Sequence, residues 1–189
     1  MKPRFRSLIV VVCVLVVTAC FLGVPSPPRV LVTEHQIDVA GSLRQYRLVV
    51  PDPAPTVATP VVLAFHGTGD STASMAEYSQ LNGLAARHGF ILAYPAARDS
   101  GWTTDADSDP DTRPDIRFVD RLLDVLQARM PLNRSRVYSL GMSSGATFAQ
   151  RLAMVRRDIA GCCSPLRPGA SRRGRWPESV SSPSACWRS

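Results

Sequence analysis

Short apolar runs alternate with longer amphipathic segments along most of this chain of 189 residues. Two segments near the start, 34–40 and 43–50, are rich in strand-forming residues and flank Gly41-Ser42, which predicts a β-hairpin. Three later runs have the length and apolar character of strands buried on both faces of a sheet: 61–65, 90–94 and 136–140.

An amphipathic segment follows each of the three buried runs, and the spacing of its apolar residues predicts a helix. These helices are expected at 71–88, 114–130 and 146–156. Gly89 is a suitable residue to end the first of them. Strand and helix in regular alternation predict an α/β fold with a parallel-sheet core, and ligands bind such sheets at the carboxyl ends of the strands.

The sequence Gly141-Met142-Ser143-Ser144-Gly145 follows the last predicted strand and precedes the last predicted helix. It matches the G-x-S-x-G nucleophile elbow of α/β-hydrolases, in which a serine on a sharp strand-to-helix turn projects above the sheet. The same letters also occur by chance in ordinary Gly/Ser turns, and the strand–turn–helix context favours the elbow. We predict Ser143 as the catalytic nucleophile and the Ser144 N–H as one oxyanion donor.

A glycine-rich turn, His66-Gly67-Thr68-Gly69, follows the predicted strand 61–65 at the same edge of the sheet. Such a turn supplies the second oxyanion N–H in many esterases. Thr68 is the preferred donor, and Gly67 is the alternative. His66 is expected to shape this oxyanion loop rather than to act as general base, because the triad histidine of this fold follows the serine in the chain.

The first 33 residues have the pattern of an export signal and a spacer. A basic start and the apolar run 8–17 fit a signal peptide over 1–19. The run ends in Val-Thr-Ala-Cys, a lipobox-like sequence that makes Cys20 the predicted lipidation site, with an ordinary signal peptide or an uncleaved anchor as the alternatives. Residues 20–33, which contain three prolines, are predicted as a tether. The chain is therefore expected outside the cell, lipid-anchored to the outer face of the cell membrane or secreted.

The formal net charge is +7, but residues 21–160 carry equal numbers of arginines and acidic residues, so the excess lies at the two ends. A neutral body argues against a nucleic-acid partner. The same body contains no cysteine for a disulfide or a zinc site. Aspartates alternate over 105–111 as in a calcium loop, but Pro110 replaces the required glycine and Ile116 the bidentate glutamate. We expect no metal and no cofactor.

Five segments in this order resemble the polyhydroxybutyrate depolymerase and feruloyl esterase-like family of α/β-hydrolases: VVLAFHGTG, GFILAYP, Trp102, DIRFVDRLLD and RVYSLGMSSGA. The resemblance covers about 34–160 and implies hydrolysis of carboxylic esters, small or polymeric, through an acyl-enzyme. It matches Ser143 to the family nucleophile and 66–69 to its oxyanion loop. Trp102 is expected either to line the substrate cleft or to lie in the core. An acyltransferase of the same fold and a non-catalytic lipoprotein that binds a ligand or partner are the alternatives.

The triad order of this fold is serine, acid, histidine, yet the chain's histidines are His35, His66 and His88, all before Ser143. Residues 161–189 are rich in Ser, Arg and Pro, with three Cys and two Trp, a composition that cannot form a buried strand. We expect an α/β-hydrolase incomplete on its C-terminal side and without activity, with 136–140 as an exposed edge strand. A frameshift near codon 160 is the hypothesis, and reading the other two frames of the gene tests it.

Overall fold

The computed structural model describes residues 27–99, 101–103 and 114–161. The signal peptide, Cys20, the aspartates at 105–111 and the tail after Gly161 lie outside the described residues. The described part forms six strands and four helices. In chain order they are β1 (Arg29–Val39), β2 (Ser42–Asp52), β3 (Thr59–Phe65), α1 (Thr72–Ser79), α2 (Leu81–His88), β4 (Ile91–Pro95), α3 (Pro114–Arg129), β5 (Leu132–Gly141), α4 (Ser144–Val155) and β6 (Ile159–Gly161).

The six strands form one sheet in the order β1-β2-β4-β3-β5-β6. The pairs β1–β2 and β2–β4 are antiparallel, whereas β4, β3, β5 and β6 are parallel to one another. Each parallel strand therefore ends at the same edge of the sheet. The predicted α/β architecture with a parallel core is confirmed.

Along the central strands, successive side chains point to opposite faces of the sheet, so the core consists of two layers. Val61, Leu63 and Phe65 point to the face covered by α3 and α4, and they pack there with residues such as Leu122 and Phe148. The intervening β3 residues point to the opposite face, where α1 and α2 cover them; this second layer includes Val62, Ala64, Met75, Ala85 and Tyr94. Helices on both faces explain why these strands are apolar at every position.

Two local predictions at the start of the sheet need correction. Strand β1 begins at Arg29, which pairs with Asp52, so 29–33 belong to the sheet and not to the predicted tether. The two turn residues of the hairpin are Ala40 and Gly41, not Gly41 and Ser42, because Ser42 already pairs with Val39. Both turn residues have a positive φ, 53° and 80°. A two-residue turn with this geometry suits the twist of paired strands.

Two further predictions are also wrong in part. The helix expected over 71–88 breaks at Gln80, whose φ of 55° ends α1 and starts α2. Segment 136–140 is not an edge strand, because Val137–Ser139 pair with β6 in parallel register.

The helix predicted over 114–130 is confirmed at Pro114–Arg129. Among the helices that the structure describes, none has the length and hydrophobicity to cross a membrane.

Candidate active site

Ser143 lies on a sharp turn between the end of β5 and the start of α4. Its φ of 52° and ψ of −121° are rare for any residue with a side chain. Such a backbone costs about 1–3 kcal/mol and persists only where the surrounding structure enforces it. Ser143 is exposed at the carboxyl edge of the sheet. Because the first N–H groups of a helix have no partner within it, the Ser144 N–H is directed toward the same edge.

Two glycines allow the elbow (residues 141–145) to form. A Cβ on Gly141 would lie 2.3 Å from the carbonyl carbon and oxygen of Gly145. A Cβ on Gly145 would lie 2.3 Å from the Phe65 carbonyl oxygen and 2.4 Å from that of His66. Real Cβ atoms do not approach backbone so closely, so strand β3, the turn and helix α4 fit together only with glycine at both positions.

The predicted oxyanion loop, residues 66–69, begins where β3 ends, directly beside the elbow. A Cβ on Gly67 would lie 3.4 Å from the Ser143 Cβ. The Thr68 hydroxyl donates a hydrogen bond of 2.9 Å to the Ser144 hydroxyl, and Gly69 has a φ of 73°. The structure therefore brings together the residues that the sequence assigned to the nucleophile, the oxyanion hole and the oxyanion loop.

Tyr78 of α1 contacts this loop, and the sequence did not indicate it because its position fits an ordinary helix face. Its hydroxyl lies near the Asp70 carboxylate and the Gly67 backbone. Burial, followed by the Asp70 charge, raises the pKa of Tyr78 to about 12. The phenol is therefore neutral at physiological pH.

His66 is buried, and both of its ring nitrogens have partners. The Ala97 N–H lies 3.0 Å from Nε2, and Nδ1 lies 2.8 Å from the Gly67 carbonyl oxygen. Since Nε2 accepts a proton donor, the neutral ring carries its proton on Nδ1 and donates to Gly67. This arrangement fixes the loop and gives His66 no free nitrogen to offer Ser143.

The other two histidines lie away from Ser143. His35 is on β1, which β2, β4 and β3 separate from β5. Its ring stacks on Tyr46 and bonds to the Thr33 hydroxyl. His88 is the last residue of α2, just before the amino end of β4, and so lies at the opposite edge of the sheet from the elbow.

Trp102 is a core residue rather than part of an open cleft. It is 6% exposed, and its ring stacks on Phe148 at 5.0 Å and meets Phe65 edge-on at 5.0 Å. The indole N–H donates to the His66 carbonyl oxygen at 2.8 Å. Trp102 thus holds the start of the oxyanion loop through this hydrogen bond.

A buried ion pair joins β2 to the start of α3. The Arg44 guanidinium contacts the Asp115 carboxylate at 2.7 Å, and both side chains are 3% exposed. The other Asp115 oxygen accepts the Thr103 N–H at 2.7 Å, and Arg44 also donates to the Ala96 carbonyl oxygen at 3.0 Å. Arg44 lies 4.2 Å above the Phe118 ring. The two charges are 71 residues apart, and no sequence pattern links them.

Within the described ranges, 27–99, 101–103 and 114–161, no group of His, Cys, Asp or Glu side chains is arranged to hold a metal ion.

The family described as Esterase PHB depolymerase matches residues 44–167. The match continues past Gly161, where the sequence resemblance was expected to stop. NocK of Nocardia uniformis subsp. tsuyamanensis, described as an esterase, is 35% identical over 140 residues, which are 70% of this chain and 40% of NocK. Feruloyl esterase B of Thermothelomyces thermophilus is 33% identical over 120 residues, 61% of this chain and 40% of that enzyme. The chain thus spans 40% of the length of these relatives.

Solved structures of hydrolases have the same fold. A ferulic acid esterase aligns with a TM-score of 0.57 at 18% identity, over 70% of this chain and 58% of that one. S-formylglutathione hydrolase from Staphylococcus aureus aligns with a TM-score of 0.55 at 14% identity, over 68% and 53%. Because the family match spans more than half of the chain, this protein belongs to the esterase family of polyhydroxybutyrate depolymerases and has the α/β-hydrolase fold.

Proposed function

We propose that this chain carries the nucleophile of an enzyme that hydrolyses carboxylic esters through an acyl-enzyme. The observation that supports this most directly is the strained, exposed backbone of Ser143 beside Gly67. The Ser143 oxygen attacks the ester carbonyl, and the N–H groups of Ser144 and Thr68 stabilise the resulting oxyanion. The C–O bond then breaks, the alcohol leaves with a proton, and water hydrolyses the acyl-serine.

We further propose that these 189 residues form the acyl-enzyme slowly and turn over esters little or not at all. A serine hydroxyl is a weak nucleophile without a neighbouring base. His66 has both ring nitrogens engaged, His35 lies on β1 and His88 lies at the far edge of the sheet. Without its base, a serine hydrolase site retains only the contribution of its oxyanion hole and substrate binding.

Labelling with a fluorophosphonate probe tests the role of Ser143. We expect one phosphonyl adduct on the intact chain and none on the Ser143→Ala variant, because the hydroxyl that forms the new P–O bond is absent. Ser144→Ala is the matched control, since it removes the neighbouring hydroxyl and keeps the backbone N–H. Equal labelling of the intact chain and Ser143→Ala by intact mass would contradict the proposal.

Product analysis separates the esterase from its two alternatives. An esterase releases free acid when water and an alcohol are both present, whereas an acyltransferase of the same fold forms a new ester. A non-catalytic lipoprotein gives neither product and no adduct.

We propose that the chain is exported and anchored to the membrane through a lipid on Cys20. The apolar run 8–17, followed by Val-Thr-Ala-Cys, supports this proposal. In a bacterial host, we expect the mature chain to carry a diacylglycerol mass at Cys20 and to fractionate with membranes. Cys20→Ala should lose both properties. A Cys20→Ala chain that stays membrane-bound and keeps the added diacylglycerol mass would contradict the anchor.

A further inference from the structure

A cavity of about 160 Å³ lies where the β1–β2 hairpin meets the start of α3. Three arginines line it, one from each of three segments: Arg44, Arg98 and Arg117. The rest of its lining consists of Ser42 and of three apolar residues, Val39, Ala40 and Pro114, the first residue of α3. The cavity is distinct from the elbow and from the oxyanion loop.

Among the described residues, one of the three arginines that line this cavity has a carboxylate partner. Asp115 balances Arg44, but no carboxylate of the described residues forms an ion pair with Arg98 or Arg117. The Arg98 guanidinium donates to the Ser42 hydroxyl at 2.5 Å. The first turn of the 16-residue helix α3 adds the positive end of the helix dipole. Two arginines without an ion-pair partner among the described residues and a helix start therefore border the same space.

Arg44 is the buried member of the three arginines that line the cavity. Its side chain is 3% exposed, and its Nη1 is buried without a hydrogen-bond partner. A buried charged donor that lacks a partner is costly, and an acceptor within reach of Nη1 would remove that cost. A space of this size accepts a molecule about as large as benzene, which includes inorganic phosphate and short carboxylates.

We propose that this cavity is a binding site for a small oxyanion, a carboxylate or a phosphate group. Arg117 and Arg98 supply its net charge, and Arg44 contributes the buried guanidinium. The two anion chemistries share these donors, because a guanidinium binds both in a forked geometry. Ser42 and Arg44 lie beyond the carboxyl end of β4, so the site opens on the same edge of the sheet as Ser143.

Calorimetric titration of the Ser143→Ala protein tests the site without any dependence on catalysis. Succinate and inorganic phosphate are the two probes, succinamide is the neutral control, and chloride keeps the ionic strength constant. We expect one of the anions to bind and succinamide not to bind. Removing a charged donor weakens binding by roughly 10- to 100-fold, so Arg117→Gln should show that loss. Arg121→Gln, which removes the same charge one turn later on α3, should not.

Arg98→Gln provides a second variant if Arg117→Gln does not fold. Tighter binding of succinate than of phosphate identifies a carboxylate site, and the reverse order identifies a phosphate site. Failure of both anions to bind would overturn the proposal. An equal loss in Arg117→Gln and Arg121→Gln would also overturn it, because it would reflect the general charge of α3 rather than a built site.

Discussion

Replacing Gly145 by alanine is expected to destabilise the fold and to abolish the reaction of Ser143 with a fluorophosphonate. The new Cβ would lie 2.3 Å from the Phe65 carbonyl oxygen and 2.4 Å from that of His66. Both atoms are backbone atoms at the end of β3, so no side chain can rotate away. Helix α4 must move outward, and Ser143 then separates from Gly67. Overpacking of this kind lowers the free energy of unfolding by about 1–3 kcal/mol. We expect a loss near the upper end of this range, because the contacts are with backbone atoms.

Chemical denaturation and probe labelling of the Gly145→Ala variant measure these two effects. Gly83→Ala is the matched control, because Gly83 lies within α2 and the nearest atom to its added Cβ is a flexible arginine end at 3.4 Å. Alanine at that helical position is expected to be neutral or to stabilise by up to about 1 kcal/mol. A Gly145→Ala protein with unchanged stability and labelling would contradict the close contact between β3 and α4.

Removing the Asp115 carboxylate has the second large effect. In Asp115→Ala the Arg44 guanidinium stays buried without its counter-charge, and the Thr103 N–H loses its acceptor. Breaking one side of a buried ion pair costs about 3–5 kcal/mol. The loss should appear as a lower free energy of unfolding in denaturant.

Asp124→Ala is the control for this prediction. Asp124 pairs with Arg134 at 3.0 Å on the surface, with 60% and 39% of the side chains exposed. An exposed pair of this kind contributes about 0–1 kcal/mol. If Asp115→Ala and Asp124→Ala cost the same, the buried pair does not hold β2 to α3. Replacing both Arg44 and Asp115 by apolar residues should recover much of the lost stability, since no charge is then left uncompensated.

The central parallel strands and the elbow at their carboxyl ends could be predicted from the sequence, because both follow from local patterns. Strands β3 and β4 are covered by helices on both faces, so nearly every position is apolar and the run itself marks the strand. The glycines at 141 and 145 are steric requirements of one short turn, and they are visible as letters at fixed spacing.

Features that depend on distant parts of the chain were not predictable in this way. Arg44 and Asp115 each look like surface charges, and only the fold brings them together. Gln80 ends α1 within a segment whose spacing fits one continuous helix. Tyr78 fits the same helical pattern, and its position near Asp70 depends on how α1 approaches the oxyanion loop. Strand β6 was not predicted, because a strand of three residues is too short to show a periodic pattern.

The central claim is that Ser143 is a nucleophile that lacks a histidine partner in these 189 residues. Fluorophosphonate labelling with added imidazole, followed by peptide mapping, tests this claim most directly. Free imidazole can replace a missing base, so we predict that the labelling rate of the intact chain rises with the concentration of neutral imidazole. We also predict that the adduct maps to Ser143 alone and is absent in Ser143→Ala. Fast labelling that does not depend on imidazole, or an adduct on another residue, would contradict this account of the site.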